Sequence, residues 1–372
     1  MPADDALGAV TLVVTAQCNL RCRYCYQDRK HAQSMAWPVL RAAVGLAGRA
    51  RSRRVSVAFL GGEPLLEMRL VRRAVRYAYR LRAPARWRFS LTTNGLLLTP
   101  PILSFLIANK FGLQVSFDGV AAAQDQRAAG SFTRLDRLLG RLSRRHPGYY
   151  RHHVSVALTV APATISHLAD SVGYLLSKDV RRIDVAPAMG QSGWHPRRFE
   201  ELEHQMREAA SAARRHAART GRLPIALMRR PADWHAPPPY PGTLCCSVAA
   251  GNSIVVDVDG RLYPCATLAQ SYQDLRALPM GERLEAMQVG HVLDPRLQDR
   301  AETLRERALD AGIFCRRTEK RAGGRRCREC ALAGACRVCP VDSAHDPGVT
   351  QPSQVSGFLC AFTRASLTHL VR

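Results

Sequence analysis

Short runs of β-branched residues alternate along this chain with longer stretches of helical periodicity, and this alternation restricts the fold more than any other feature of the sequence. The helical stretches repeat apolar residues every three or four positions, as Leu66, Leu70, Val71, Ala74 and Ala78 do. Strict alternation of strands and helices with short turns indicates a parallel sheet with its helices outside. Six units of this kind predict an α/β fold, a partial (β/α)6 TIM-like barrel. The six predicted strands are residues 10–15, 55–60, 88–93, 113–117, 153–160 and 182–186.

The loop after the first predicted strand contains three cysteines within eight residues, Cys18, Cys22 and Cys25. Three thiolates at this spacing can hold three irons of a cubane and leave its fourth iron without a protein ligand. Most iron–sulfur sites are closed by a fourth cysteine, so an open iron indicates chemistry beyond electron storage. A zinc loop is the alternative that the spacing leaves open.

Polar loops also follow the next three predicted strands. The second strand is followed by Gly61, Gly62, Glu63 and Pro64, and the third by Asn94. Two glycines let a backbone approach a ligand closely, and a carboxylate pairs with an ammonium group. Because loops after the strands of a barrel meet at one end, these residues are candidates for one shared site.

The cysteine loop, with an aromatic residue just before its third cysteine, resembles the signature of the radical S-adenosylmethionine (SAM) enzymes. In that family the open iron of a [4Fe–4S] cluster binds the amino and carboxylate groups of SAM. The Gly-Gly-Glu-Pro loop resembles the family's GGEP motif, which receives the methionyl amino group. The resemblance therefore implies Cys18, Cys22 and Cys25 as cluster ligands, and Gly61, Gly62 and Glu63 as SAM contacts.

Three further SAM contacts are implied by the same resemblance: Asn94 after the third strand, Ser116 in the fourth, and Arg127 in a stretch similar to His-Asp-x-x-Arg. Members of the family take an electron from a donor such as flavodoxin or ferredoxin and cleave SAM to a 5′-deoxyadenosyl radical, which abstracts hydrogen from the substrate. We therefore expect a radical SAM oxidoreductase.

The C-terminal third contains nine of the twelve cysteines. Residues 256–265 predict a β-hairpin with an Asp-Gly turn. The order of the cysteines around and after this hairpin resembles the SPASM domain, a Cys-rich appendage of peptide- and protein-modifying radical SAM enzymes that binds two auxiliary [4Fe–4S] clusters. The implied ligands are Cys245, Cys246, Cys265, Cys327, Cys330, Cys336, Cys339 and Cys360.

The resemblance divides these ligands into two groups. The second auxiliary cluster takes Cys327, Cys330, Cys336 and Cys360, and the first takes the following set: Cys246, Cys265 and Cys339, with Cys245 as a candidate fourth. The family usually has three residues between the last two cysteines of the 327–339 group, and this chain has two, which leaves the role of Cys339 open. A structural zinc ribbon is the alternative for this group, and Cys315 has no assigned role.

These motifs predict three domains. They are a radical SAM barrel at residues 8–190, a helical and proline-rich bridge at 191–244, and a SPASM-like iron–sulfur domain at 245–372. The bridge contains a long predicted helix at 197–220, whose His204 and His216 we expect on the solvated surface.

The chain starts without the basic segment of a signal peptide, and no apolar run reaches the roughly 18 residues of a membrane span. We therefore expect a cytoplasmic protein with no membrane partner. In the reducing cytosol, twelve cysteines are better explained as metal ligands than as disulfides.

A net charge of +24, from 54 Lys and Arg against 30 Asp and Glu, favours an acidic partner. An RNA-modifying radical SAM enzyme is therefore an alternative of another class. The SPASM-like cysteines and the dispersed arginines, with no basic and aromatic RNA motif, argue against nucleic acid. A scaffold with degenerate catalysis is disfavoured because the core cysteines and the GGEP loop are intact.

SPASM-bearing relatives include peptide maturases and anaerobic sulfatase maturases, which form formylglycine. In the sulfatase maturases an Asp follows the cysteine that ends the hairpin, whereas Ala266 follows Cys265 here. We therefore expect a maturase that installs a crosslink or another oxidative modification on a ribosomally made precursor peptide. A formylglycine-forming enzyme similar to the anaerobic sulfatase maturases is the alternative. Because the first predicted strand begins near Val10, we expect no N-terminal leader-binding domain. A separate leader-recognition protein, or the basic surface, would then hold an acidic leader.

Overall fold

Six parallel strands form the central sheet in the order in which they occur in the chain. The computed structural model describes residues 8–28, 30–49, 54–81, 86–191, 193–228, 253–296, 327, 329–332, 336, 338–351 and 354–369. The predicted α/β partial barrel is confirmed. Its strands are β1 (Ala9–Val13), β2 (Arg54–Leu60), β3 (Arg86–Thr93), β4 (Gly112–Ser116), β5 (Val154–Val160) and β6 (Ile183–Pro187).

Helices cover the outer face of this sheet. Alternate strand residues point toward them and are buried, and Phe59 of β2 stacks there on Phe89 and Phe111 with ring centroids 6.4 and 5.9 Å away. The apolar residues whose spacing predicts the helices therefore form the buried face of each helix. The helices are α1 (Trp37–Gly48), α2 (Met68–Arg80), α3 (Pro100–Ala108), α4 (Ala121–Gln124), α5 (Phe132–Arg145), α6 (Pro147–His153), α7 (Leu168–Ser177) and α8 (Phe199–Thr220).

The opposite, concave face of the strands is lined by small and polar side chains that are half-buried. Ser116, at the end of β4, pairs in register with Ala157, which pairs with Asp184 of β6. Below them, Thr92 Oγ1 donates to Gln114 Oε1 at 3.1 Å, and Gln114 Nε2 donates to Asp184 at 2.9 Å. The inner face is thus polar.

Helix α8 belongs to the same core as the barrel helices, because Leu202, Met206 and Ala213 are fully buried in it. His204 on this helix is exposed, as predicted. The prediction that His216 is solvated is wrong: it is 5% exposed, because it lies on the packed side of α8. The boundaries proposed for the three domains stay a prediction, and residues 229–244 of the bridge lie outside the described residues.

The C-terminal part extends the sheet beyond β1. Strand β7 (Ser253–Val256) pairs with β1 in parallel. Strand β8 (Arg261–Tyr263) is antiparallel to β7, and the two-residue strand β9 (Gly290–His291) is antiparallel to β8. The turn of the predicted hairpin closes at Gly260, whose φ is 96°, a value that favours glycine.

A second apolar core lies on this extension, and Val13 and Val255 of the sheet belong to it. Tyr263, Tyr272 and Leu284 are buried there. This core therefore packs against β1 and β7. The remaining described helices are α9 (Gly281–Ala286), α10 (Pro340–Ala344) and α11 (Gly357–Thr368). In the part of the chain that the structure describes, no helix is long and apolar enough to cross a bilayer.

Candidate active site

The cysteine loop lies at the carboxyl end of β1 and closes on itself. Thr15 and Ser34 form an antiparallel bridge across its base, and Thr15 Oγ1 donates to the Gln33 carbonyl at 3.0 Å. Within the loop, the Leu20 amide donates to Cys18 Sγ at 3.4 Å. The loop is therefore a defined turn that presents its sulfurs.

Cys18, Cys22 and Cys25 are half-buried and within electrostatic range of one another. Burial raises the pKa of Cys18 and Cys22 above the ordinary thiol value. Bound cations favour the thiolate form of such sulfurs. This loop therefore places three thiols together in a setting where bound iron would deprotonate them.

The donor set fits a cluster. In a cubane each thiolate binds a different iron. Cys18, Cys22 and Cys25 are half-buried thiols on one loop, and the Leu20 amide directed at Cys18 Sγ favours the thiolate form of that sulfur. This donor set therefore suits three of the four irons.

Gly61 and Gly62 pack directly against the backbone of the cysteine loop. The Gly62 amide donates to the Thr15 carbonyl and the Glu63 amide to the Gln17 carbonyl, both at 2.8 Å. A Cβ atom at Gly62 would lie 2.2 Å from the Gln17 oxygen, and one at Gly61 would lie 2.6 Å from the Thr15 oxygen. Glycine is therefore required here because two backbones touch.

Glu63 is fully buried, and its carboxylate binds the loop after β3. It accepts hydrogen bonds from Thr93 Oγ1 and the Asn94 amide at 2.8 Å, and from the Leu65 amide at 3.0 Å. Burial raises the pKa of this carboxyl group in spite of these donors. Glu63 thus joins the loops after β2 and β3.

Asn94 in turn contacts the cysteine loop, since its Nδ2 donates to Asn19 Oδ1 at 2.8 Å. Ser116 lies on the concave face and is half-buried. The structure thus brings Gly61, Gly62, Glu63 and Asn94 together around the cysteine loop. The assignment of these residues and Ser116 to SAM stays a prediction.

Arg127 lies in a buried cluster that the sequence motifs do not reveal. Its Nη2 forms an ion pair with Asp118 Oδ1 at 2.8 Å, and the Tyr24 hydroxyl donates to the same carboxylate. The sequence feature that could have indicated this cluster is Asp118, an acidic residue two positions after the end of β4. Arg127 is thus bound to this chain's own carboxylate.

The C-terminal cysteines lie in two places. Cys265, at the end of the hairpin, and Cys339 both pack against the second core. Cys360 is within electrostatic range of the following three cysteines: Cys327, Cys330 and Cys336. This grouping matches the predicted second set, and its ligand role stays a prediction. Cys245, Cys246 and Cys315 lie outside the described residues.

One aromatic side chain lies between the two cysteine regions. Tyr26 follows Cys25 in the chain and packs edge-on against Tyr272, with centroids 5.9 Å apart. Its hydroxyl is within electrostatic range of Cys25, Cys265 and Asp342. Burial raises the pKa of both Tyr26 and Asp342. Neither residue stands out in the sequence, because the contacts of both depend on how the C-terminal part packs.

Residues 12–154 match the family model described as the radical SAM superfamily. The chain carries a radical SAM domain. The matched segment contains the cysteine loop, the Gly61–Gly62 turn and the Asp118–Arg127 pair. The predictions of a radical SAM enzyme, and of a [4Fe–4S] cluster and SAM as its cofactors, are confirmed.

Three relatives show how far this similarity extends along the chain. An uncharacterized protein of Methanocaldococcus jannaschii is 23% identical over 269 residues, 71% of this radical SAM chain and 86% of the other. The GTP 3′,8-cyclase of Synechococcus sp. is 36% identical over 131 residues, 33% of this chain and 36% of the cyclase. The radical SAM cyclopropyl synthase TigE of Paramaledivibacter caminithermalis is 26% identical over 131 residues, 31% of this chain and 28% of TigE.

Solved structures are similar over nearly the whole chain. Native anSMEcpe with bound AdoMet and Kp18Cys peptide superposes with a TM-score of 0.71 at 17% identity, over 97% of this chain and 96% of that one. SuiB of Streptococcus suis bound to the precursor peptide SuiA superposes with a TM-score of 0.57 at 14% identity, over 95% of this chain and 75% of SuiB. At these identities the likeness shows a common fold, which includes the C-terminal part.

Proposed function

We propose that this radical SAM enzyme is a cytoplasmic maturase that modifies a ribosomally made precursor peptide by installing a crosslink or another oxidative change. The observation that carries the proposal is the position of Cys265, which shares the surroundings of Tyr26 with Cys25. Tyr26, Cys265 and Cys339 pack against the same second core, which supports a second cysteine site close to the first. The peptides bound to SuiB and anSMEcpe support a peptide as the substrate class.

Crosslinking requires a site that abstracts a hydrogen atom and an acceptor for one further electron. When bound, the [4Fe–4S] cluster and SAM supply hydrogen-atom abstraction from an unreactive C–H bond. Joining two side chains removes two hydrogen atoms, and the second leaves as a proton and an electron. Cys265 and Cys339 would hold an auxiliary cluster that accepts this electron. Tyr26 and Tyr272, which pack edge-on against each other, place apolar ring surface between the two regions.

The concave face supplies a surface for a peptide. Its half-buried side chains, among them Ser116, Gln114 and Asp184, offer hydroxyl, amide and carboxylate groups to a peptide backbone. Gln114 and Asp184 are held by hydrogen bonds within the sheet, so they are fixed before a substrate binds. This preorganised polar surface lowers the entropy cost of positioning a flexible substrate.

A precursor peptide also needs a place for its leader, and helix α3 offers one. It contains no charged residue, and its partly exposed side chains include Ile102, Phe105 and Ile107. The helices α2 and α5 on its two sides carry five arginines each. An apolar strip between basic helices suits an acidic segment with apolar side chains.

Specific arginines face this strip. Arg72 of α2 lies 4.3 Å from the Phe105 ring and donates to the Pro101 carbonyl at 3.1 Å. On α5, Arg134 donates to the Leu96 carbonyl at 2.7 Å, and Arg141 and Arg145 follow it along the same exposed line of the helix. We name α3 with Arg72, Arg134, Arg141 and Arg145 the leader surface.

We expect charge reversal on this surface to weaken the binding of an acidic leader. The probe is a fluorescein-labelled synthetic peptide of alternating Glu and Leu residues, followed by fluorescence anisotropy. The combined substitution Arg134→Glu, Arg141→Glu and Arg145→Glu should weaken binding about tenfold, because three attractive contacts become repulsive.

The matched control reverses three exposed arginines of α8: Arg207→Glu, Arg215→Glu and Arg219→Glu. It changes the net charge by the same amount and should weaken binding much less. Equal weakening in both variants would show that only the overall charge matters and that the leader surface is wrong. An RNA oligonucleotide that binds better than the peptide, with steep salt dependence, would favour the RNA-modifying alternative.

The proposed reaction is tested with reconstituted protein, SAM, dithionite and synthetic peptides that join the Glu/Leu leader to cores rich in Cys, Ser, Asn and aromatic residues. We expect 5′-deoxyadenosine in proportion to a peptide that has lost two hydrogen atoms and gives no aldehyde. An aldehyde at Cys or Ser would instead indicate a sulfatase-maturase type of reaction. Consumption of GTP or RNA in parallel samples, with every peptide unchanged, would contradict the proposal.

A further inference from the structure

A buried arginine and a buried aspartate form an ion pair beside the cysteine loop. Asp118 is 1% exposed and the Arg127 side chain 10%. Arg127 Nη2 and Nε donate to the two carboxylate oxygens of Asp118 at 2.8 and 3.2 Å. A bidentate pair of this kind has a fixed geometry, and burial makes either charge costly without the other.

The pair joins three parts of the barrel. Asp118 follows β4, and its Oδ1 also accepts the Thr159 amide of β5 at 2.9 Å. Arg127 Nη2 also lies 3.3 Å from Thr159 Oγ1. The segment with Arg127 reaches the cysteine loop directly, because the Arg23 amide donates to the Gln126 carbonyl at 2.9 Å.

Tyr24 completes the contact from the side of the cysteine loop. It lies between Cys22 and Cys25 and is 6% exposed. Its hydroxyl donates to Asp118, and its ring lies 5.3 Å from Arg127 Cζ. Cys22 packs beside Tyr24 and is within electrostatic range of Arg127. The positive charge of Arg127 and the negative charge of Asp118 thus both lie close to the part of the loop that contains Cys22.

We propose that Tyr24, Asp118 and Arg127 form a positioning cluster that fixes the Cys22–Cys25 turn and balances the charge beside the iron–sulfur site. Arg127 acts through Asp118 and Tyr24. This role replaces the SAM contact that the sequence resemblance implies for Arg127.

The proposal predicts redox shifts of opposite sign. Reduction adds negative charge to a cluster, so a nearby unpaired cation favours the reduced form and an unpaired anion opposes it. Asp118→Asn, which leaves Arg127 unpaired, should raise the midpoint potential of the SAM-binding cluster. Arg127→Gln, which leaves Asp118 unpaired, should lower it. The double variant should return toward the wild-type potential, and Arg127→Lys should lie between Arg127→Gln and wild type.

The measurement is a redox titration of anaerobically reconstituted full-length protein, followed by electron paramagnetic resonance (EPR). The relevant signal is the one that changes on addition of SAM. The SAM dissociation constant is measured on the same samples by calorimetry. We expect it to change by no more than about threefold. A tenfold change corresponds to about 1.4 kcal/mol of binding free energy, and a threefold change to less than half of that. Neither readout depends on a peptide substrate, so failure here is separate from failure of the proposed maturase function.

A milder variant tests the mechanical part of the proposal. Tyr24→Phe removes only the hydroxyl, and we expect faster loss of iron to a chelator. Tyr149→Phe is the matched control, because the Tyr149 hydroxyl is also buried and donates to the Phe111 carbonyl at 2.9 Å, away from the loop. It should lose iron at the wild-type rate.

Three results would overturn the proposal. Loss of SAM binding by more than about tenfold in Arg127→Gln and Arg127→Lys, at an unchanged potential, would make Arg127 a SAM ligand. Shifts of the same sign in Asp118→Asn and Arg127→Gln would indicate general damage without charge balance. Equal rates of iron loss in Tyr24→Phe and Tyr149→Phe would remove Tyr24 from the cluster.

Discussion

Replacing Gly62 with alanine is expected to abolish SAM cleavage and to lower the free energy of unfolding by about 3 kcal/mol, the upper end of the cost of overpacking. The added Cβ would lie 2.2 Å from the Gln17 carbonyl oxygen and 2.8 Å from the Ala16 carbonyl oxygen. Both are backbone atoms, which cannot rotate away as a side chain can. The cysteine loop must therefore shift relative to β2. Urea unfolding and 5′-deoxyadenosine formation measure the two effects.

The matched control is Gly173→Ala. Gly173 lies in α7, and a Cβ there would meet no atom within 4 Å. Alanine at this helical position should raise stability by about 0.5 kcal/mol, because it restricts the unfolded chain. Wild-type SAM cleavage in Gly62→Ala would show that the close approach of the two loops has no part in the site.

Replacing Glu63 with alanine is expected to have an effect of similar size for a different reason. The substitution leaves the Thr93 hydroxyl and the Leu65 and Asn94 amides without their acceptor in a buried place. Each unsatisfied group costs about 1–3 kcal/mol, so we expect the free energy of unfolding to fall by about 3 kcal/mol or more. Because Asn94 also holds Asn19, iron incorporation should fall as well.

Glu67→Ala is the control in the same loop. Glu67 accepts an exposed hydrogen bond from Ser34 Oγ at 2.6 Å, which water can replace. Removal of the Glu67 carboxylate should lower the free energy of unfolding by no more than about 0.5 kcal/mol. Thermal unfolding and iron content compare the two variants. A loss in Glu63→Ala no larger than that in Glu67→Ala would mean that the buried carboxylate does not hold the loops together.

The sequence predicted the barrel well because its signal is local. Alternation of apolar and polar residues follows from a sheet with one face buried under helices and one face open. The predicted strand at 10–15 is found as Ala9–Val13, and that at 182–186 as Ile183–Pro187. The boundaries moved by one or two residues, because apolar pattern does not mark where hydrogen bonding stops.

The pairing of β7 with β1 could not be predicted. Their residues lie far apart in the chain, and neither strand carries a mark of its partner. This pairing places Cys265 near the cysteine loop, so the relation between the two cysteine regions was also hidden.

The candidate site was predicted in outline only. The motifs identified the loops, but the partners of their side chains depend on tertiary contacts. Glu63 was interpreted as a ligand for an ammonium group, whereas donors on the next loop take up most of its carboxylate. His216 was placed at the surface from the polar character of α8, but the narrow apolar stripe of that helix buries it.

Iron and sulfide content, with EPR, on anaerobically reconstituted protein is the most direct test that this chain is a radical SAM enzyme with auxiliary clusters. We compare the wild type with a variant carrying Cys18→Ala, Cys22→Ala and Cys25→Ala. We expect about twelve irons in the wild type and about eight in the variant, with SAM cleavage lost. About four irons in the wild type, with zinc retained, would contradict auxiliary clusters and remove the main support for a peptide maturase.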